Sequence, residues 1–254
     1  MSRRLRDRLA GASRDAWATL LPTECSGCGV VDRALCASCR RALLPAVHPV
    51  TRDDALIWAA LTYEGAVRHV LAAYKDGGRT DAALALAVPL RAAIVAALAA
   101  VPRDSTPPEE AGPSAPGSRS KNRNTGIGIQ LVTIPSSRRA WRTRGYHPVD
   151  TLLNRVGLHP FPALTQRWEP RDQVGLDRAA RAANKIHSLV ATRRLDDVRV
   201  ILVDDIVTTG ATLIEARRAV FAAGGRVVGL AALAETRRLL PASTRSGQTG
   251  RQIR

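Results

Sequence analysis

An α/β fold with a mainly parallel sheet flanked by helices, preceded by a small cysteine knuckle, is what this sequence predicts. Three observations carry that reading. Apolar runs of strand length alternate with segments of helical periodicity. One run, Val200-Ile201-Leu202-Val203, ends on two acids and a small polar turn that opens a helix from about Ala211 to Ala223. All four cysteines lie in one short N-terminal segment.

Taken in order, residues 1–21 read as a basic amphipathic lead-in helix and 22–45 as the four-cysteine knuckle. The main domain is expected over 46–235. Ala55 to Tyr63 is apolar and predicts a strand. Glu64 to Tyr74 places Val67, Val70, Leu71 and Tyr74 at helical spacing. Lys75 to Arg79, with Gly77 and Gly78, predicts a turn. A long Ala/Leu helix follows, with Pro89 as a point of breakage or kinking. Residues 102–126 are rich in Pro, Ser and Gly, which predicts a disordered surface insertion. Ile129 to Ile134 reads as a second strand, followed by Ser136, Ser137 and an Arg-rich loop. A helix is expected near Val149 to Val156. Residues 157–173 read as loop, and Leu176 to Ile186 as a basic helix. After the strand at Val200 and its helix comes a last strand, from about Val227 to Ala234. The Arg-rich stretch 236–254 predicts a disordered tail. In a parallel sheet the ligand sits at the carboxyl ends of the strands, so Pro135-Ser136-Ser137 and Asp204-Asp205 should meet.

Composition bounds the function classes. The chain has 254 residues, 45% of them apolar, enough for one sizeable domain and a small appendage. Lys and Arg number 38 against 22 Asp and Glu, a net charge of +16, which suits a polyanionic partner as well as a merely solvated basic surface. Met1 to Leu21 is interrupted by arginines and lacks an apolar signal core. The longest apolar stretch, Ala82 to Val101, contains Pro89 and Arg91 and reads as a packed helix, not a membrane span. A cytoplasmic protein is expected.

The cysteines follow the pattern Cys25-x2-Cys28-x7-Cys36-x2-Cys39. Two CxxC pairs offer four thiolates to one tetrahedral Zn²⁺, and Gly27 and Gly29 ease the tight turn. Disulfides are disfavoured in a cytosolic chain, and redox CxxC motifs rarely come as two close pairs.

Asp204 and Asp205 precede Thr208-Thr209-Gly210-Ala211-Thr212. A strand that turns directly into a helix aims backbone N–H groups and the helix dipole at an anion, and Thr hydroxyls add donors. Two acids beside that cradle can accept hydrogen bonds from sugar hydroxyls. The element reads as a site for a ribose 5-phosphate. An ordinary capped helix would explain the threonines but not the paired acids.

The motif resembles the signature of type I phosphoribosyltransferases, which bind phosphoribosyl pyrophosphate (PRPP). The resemblance implies that Asp204 and Asp205 hold the ribose hydroxyls and that Thr208 to Thr212 hold the 5-phosphate. Other segments narrow it. The knuckle precedes Tyr63-Glu64-Gly65 and Tyr74-Lys75; then come Ile134-Pro135-Ser136-Ser137, Arg144-Gly145-Tyr146, Gln173 and Arg181-Ala182-Ala183-Asn184. From about Cys25 to Ala234, apart from the insertion, the chain is similar to the ComF family of competence and phosphoribosyltransferase-like proteins. That family tends to follow its Arg-Gly-aromatic segment with Asn-Gln, whereas His147-Pro148 stand here. The resemblance implies Mg²⁺ held with PRPP, either pentosyl transfer with pyrophosphate as leaving group or PRPP sensing without turnover, and a link to DNA uptake that admits single-stranded DNA and competence proteins as partners.

Further residues complete the expected site. Ser136 and Ser137 are expected to donate to pyrophosphate. Arg138, Arg139, Arg142 and Arg144, with Trp141 and Tyr146 interleaved and no acid among them, suit either a pyrophosphate leaving group or single-stranded nucleic acid. Arg142 and Arg144 are the expected catalytic cations, and Lys75 is placed to reach pyrophosphate. The five histidines show no ligand spacing.

Overall fold

The structure is a computed structural model that describes residues 24–31, 33–102, 128–167 and 188–237. The expected lead-in helix, almost all of the insertion and tail, and the segment with Gln173, Arg181 and Asn184 lie outside the described residues.

Among the described residues five strands form the main sheet: β1 (His48–Arg52), β2 (Ala55–Thr62), β3 (Gln130–Thr133), β6 (Arg199–Val207) and β7 (Arg226–Glu235), in the order β1-β2-β7-β6-β3. The pairs β2–β7, β7–β6 and β6–β3 are parallel; β1 joins antiparallel. The mainly parallel sheet is as the alternating pattern predicts. Both faces are buried because successive side chains point to opposite faces. Ile201 and Val203 enter one core with α2 (Gly65–Asp76), α3 (Ala83–Ala99) and α5 (Pro148–Arg155). Val200 and Leu202 enter the other, with α6 (Ala211–Ala222).

Helix α3 runs through Pro89 without ending. The proline ring costs about 3 kcal/mol in a helix interior, and eight buried residues, Leu86, Leu90 and Ile94 among them, offset it. By length and composition α3 with its preceding 3-10 turn is apolar enough to cross a membrane, yet half of it is buried in the protein. The turn expected at Lys75 begins two residues later. Lys75 and Asp76 complete α2, which Gly77 caps by donating to the Ala73 carbonyl at 3.0 Å.

Two hairpins escaped the sequence. β1 forms a hairpin with β2 through Asp53 and Asp54, both with positive φ, as a two-residue hairpin turn of this hand requires. β2 pairs with β7 only from Trp58 onward. Its first residues, Ala55 and Ile57, pack in one cluster with Val207 and Leu213, at the end of β6 and the start of α6. The second element is a small antiparallel hairpin of β4 (Leu164–Gln166) and β5 (Leu189–Ala191), inside and beyond the stretch expected to be loop. Buried Glu215 of α6 accepts from the Leu189 amide at 3.1 Å and pairs with Arg218, which ties that hairpin down.

Candidate functional site

The acid pair lies inside its strand and not at its end. β6 continues to Val207, with Asp204 opposite Ala232 and Ile206 opposite Ala234 in β7. Apolar Ile206 and Val207 extend the ladder beyond the acids, which the apolar run Val200 to Val203 does not reveal. Both acids remain half-buried. The Asp205 amide donates to Asp204 Oδ1 at 2.8 Å, which fixes that carboxylate along the strand.

The loop 208–212 joins β6 to α6. Gly210 sits at φ 87°, a left-handed conformation that only glycine adopts without strain, and caps α6. Ile214 donates to the Gly210 carbonyl at 3.0 Å and Ala211 to Thr209 Oγ1 at 3.3 Å. Thr208 is exposed, while Thr209, Ala211 and Thr212 are half-buried. Backbone N–H groups at the start of a twelve-residue helix thus stand beside the two acids.

β3 lies against β6, and the Ile134 amide donates to the Val203 carbonyl at 3.3 Å. Ile134 therefore stands level with Asp204, and Pro135 follows it. Ser136 and Ser137 are half-buried there. Ser137 caps a helix, its Oγ accepting from the Ala140 amide at 3.1 Å. That helix, α4 (Arg138–Arg144), replaces the expected Arg-rich loop. Four arginines in seven residues hid it, but Arg favours helices, a Ser stands at the cap, and Gly145 closes it at φ 73°. The glycine of Arg-Gly-Tyr is thus a helix stop. Pro148 occupies the first turn of α5, a position that needs no N–H.

Helix α2 brings its last turn to this place. Lys75 Nζ lies 2.8 Å from Asp205 Oδ2, both side chains about four-fifths buried. Asp76 receives Arg144 Nη2 at 2.9 Å, so Arg144 has the acidic partner that its own segment lacks. Arg142 is exposed on α4. The Tyr146 hydroxyl donates to the Tyr74 carbonyl, the Tyr74 hydroxyl donates to the Pro148 carbonyl at 2.9 Å, and the two rings meet at 5.6 Å. Burial pushes both phenols up. They stay protonated donors and lock α2, α4 and α5 together.

The four cysteines form a second centre. Their Sγ atoms lie within 4.8 Å of one another, and Cys28 and Cys36 are 3.7 Å apart. A tetrahedron with Zn–S near 2.3 Å requires sulfur atoms roughly 3.8 Å apart, so the donor set fits zinc. Cys36 caps α1 (Ala37–Ala42), its Sγ accepting from the Cys39 amide at 3.4 Å. Burial raises the Cys25 thiol, but amide donors from Cys36, Gly27 and Cys28 outweigh it and bring it to about 6. Burial and the three neighbouring thiols push Cys39 up instead. Four thiolates this close would need a cation to balance them, and the cluster could hold one. Gly27 is required for space, because a Cβ there would lie 2.5 Å from Cys39 Sγ. The knuckle rests on α2, where His69 Nδ1 is 3.0 Å from the Gly27 carbonyl oxygen.

Sequence reasoning missed Arg52 and Glu235, both buried beneath the loop 208–212. A single Arg before an Asp-Asp turn gives no signal, because its partners at Thr208, Glu235 and Thr236 lie 156 to 184 residues away.

Comparison with known proteins gives two partial matches. The family profile of the phosphoribosyl transferase domain matches residues 165–244. The chain is 28% identical over 99 residues to "Competence protein ComFC" of Streptococcus pneumoniae (strain ATCC BAA-255 / R6). That match covers 39% of this chain and 44% of the relative. Over these parts, and in its clustered cysteines, the chain is similar to the ComF-type, phosphoribosyltransferase-like family.

Proposed function

From that family as premise, we propose that the chain binds PRPP with Mg²⁺ at the carboxyl ends of β3 and β6 and transfers its phosphoribosyl group to an acceptor. The observation that carries this reading is the 2.8 Å contact of Lys75 with Asp205, which joins a cation, the acid pair and the loop 208–212 in one place. In this reading Asp204 and Asp205 accept from the ribose hydroxyls. The N–H groups and hydroxyls of Thr208, Thr209, Gly210, Ala211 and Thr212 hold the 5-phosphate. Ser136 and Ser137 face the pyrophosphate, with Lys75 and Arg144 exchanging their carboxylate partners for it. Mg²⁺, a hard ion, would be held mainly by pyrophosphate and ribose oxygens and water. It would neutralise charge on the leaving group. Bond breaking at the anomeric carbon resembles glycoside cleavage, with charge spread over the ring oxygen and carbon. Cys25, Cys28, Cys36 and Cys39 would hold a structural zinc, which suits a reducing cytoplasm.

Calorimetry tests the binding step. PRPP with Mg²⁺ should bind with unit stoichiometry, and ribose 5-phosphate should compete. A chain that binds neither has another function. Release of pyrophosphate on addition of nucleobases would separate an enzyme from a PRPP sensor.

A specific observation favours a second role. Trp141 is 49% exposed on the same helix as Arg138 and Arg142, an aromatic among cations on an open surface. Such a face suits stacking and phosphate contacts to a single strand. The relative's name, a competence protein, is consistent with that role. Trp141→Ala with Arg142→Ala should weaken binding of an oligothymidine by about tenfold or more, since one stacked base contributes ~1–3 kcal/mol. The loss should be largest at low salt, where phosphate contacts dominate. Filter binding at two salt concentrations checks it; equal affinity of variant and parent removes this face from consideration.

A further inference from the structure

Arg52 is only 6% exposed, yet it carries a full charge and uses all three guanidinium nitrogens. Its Nη2 donates to Glu235 Oε2 at 2.8 Å and to the Thr236 carbonyl at 2.9 Å. Its Nη1 donates to the Thr51 carbonyl at 3.1 Å. Its Nε donates to the Thr208 carbonyl at 2.9 Å. Thr236 in turn donates from its amide to the Val207 carbonyl at 3.0 Å. One buried group therefore links the β1–β2 hairpin, the end of β7 and the first residue of the loop 208–212.

We infer that Arg52, held by Glu235, is a positioning residue that presets the phosphate loop by drawing the Thr208 carbonyl inward. This rests on the ligand reading given above. The reason is peptide geometry. In a trans peptide the C=O of one residue and the N–H of the next point in opposite directions. A Thr208 carbonyl pulled down onto Arg52 turns the Thr209 N–H up, away from the protein interior and toward the side where an anion would sit. Without the guanidinium that carbonyl is free to rotate outward, where its oxygen would repel a phosphate. The Arg52 stem adds a second constraint. A Cβ on Gly210 would meet Arg52 Cβ at 2.6 Å, so the side chain also shapes the left-handed residue of the loop. Glu235, itself 5% exposed, keeps the buried charge compensated and the guanidinium plane fixed. A lysine cannot reproduce this, because an ammonium is one point charge and not a planar fork.

Arg52→Lys is the test, with binding of ribose 5-phosphate and of Mg²⁺-pyrophosphate measured separately by calorimetry. The expected result is a loss of about tenfold or more for ribose 5-phosphate, the scale of one hydrogen bond to a charged ligand, with pyrophosphate binding unchanged. A merely structural role would weaken both ligands alike. If Arg52→Lys fails to fold, Glu235→Gln carries the test. It keeps volume and an acceptor but frees the guanidinium plane, and the same selective loss should appear at about threefold. Unchanged ribose 5-phosphate affinity in a folded variant, or equal loss for both ligands, overturns the inference and leaves the site reading standing. A wild-type chain that binds neither ligand overturns the site reading and this inference with it.

Discussion

Asp204→Ala combined with Asp205→Ala is expected to abolish measurable PRPP binding while the fold persists. The two carboxylates are half-buried on β6 at the mouth of the loop 208–212. In the proposed complex they receive the ribose hydroxyls. A hydrogen bond to a charged group contributes ~1.5–3 kcal/mol. Losing two lowers affinity by about a hundredfold to ten-thousandfold, at about 1.4 kcal/mol per decade. Stability should move far less. Neither acid is in the core; the Asp204 side chain bonds its neighbour's amide, and Asp205 meets Lys75 in a partly solvated pair. Breaking a pair this deeply placed costs about 1–3 kcal/mol, and 1 kcal/mol corresponds to roughly 2–4 °C in Tm for a domain of this size. Calorimetry with Mg²⁺ and PRPP, together with a melting curve, decides. Retained affinity in a folded double variant rejects the ribose-binding role of the acids. Asp205→Asn alone should behave differently, because it releases Lys75 while Asp204 remains. Its binding of pyrophosphate should be equal to or tighter than that of the parent while ribose 5-phosphate weakens.

Much of this arrangement was legible before the structure, and the rest was illegible for physical reasons. The strand at Val200 and the helix from Ala211 stand out because both faces of the strand are buried and the helix begins on a Gly-containing turn. The cysteine cluster stands out because metal ligands must be near in sequence when the knuckle is small. α4 was hidden because charge runs look like loops, although Ser137 and Gly145 mark its two ends. β1 was hidden because its turn uses Asp53-Asp54 where Asn-Gly or Asp-Gly would have announced a hairpin. Lys75 with Asp205, Arg144 with Asp76, and Arg52 with Glu235 are tertiary pairings. No local pattern encodes them. They follow only once the sheet order sets which strand ends meet, and that order leaves β6 between β3 and β7.

Removal of the metal should unfold the knuckle and spare the sheet. The knuckle has little else to hold it: its buried cluster is Cys25, Cys36 and Cys39, with Leu35 and Ala66 packed alongside. Structural zinc supplies ~10–16 kcal/mol of apparent binding free energy in small domains, far more than burial of so few side chains at ~25 cal/mol per Å². The sheet has its own two cores, to which the knuckle segment contributes Leu43 and, at the margin, Leu35. Cys28→Ser isolates the metal effect. Cys28 is exposed, so its replacement leaves no cavity, unlike a change at Cys25 or Cys39. The purified parent should contain about one zinc per chain, and the variant little. Amide exchange should become fast across 24–45 and stay slow in β6 and β7. A modest cost should reach the site, because the knuckle braces α2 through His69 and Gly27, and α2 carries Lys75 at its far end. PRPP affinity should therefore fall only severalfold, within the ~1 kcal/mol of one lost brace. A metal-free parent whose knuckle amides are protected would show that the cysteines pack as thiols and hold no ion.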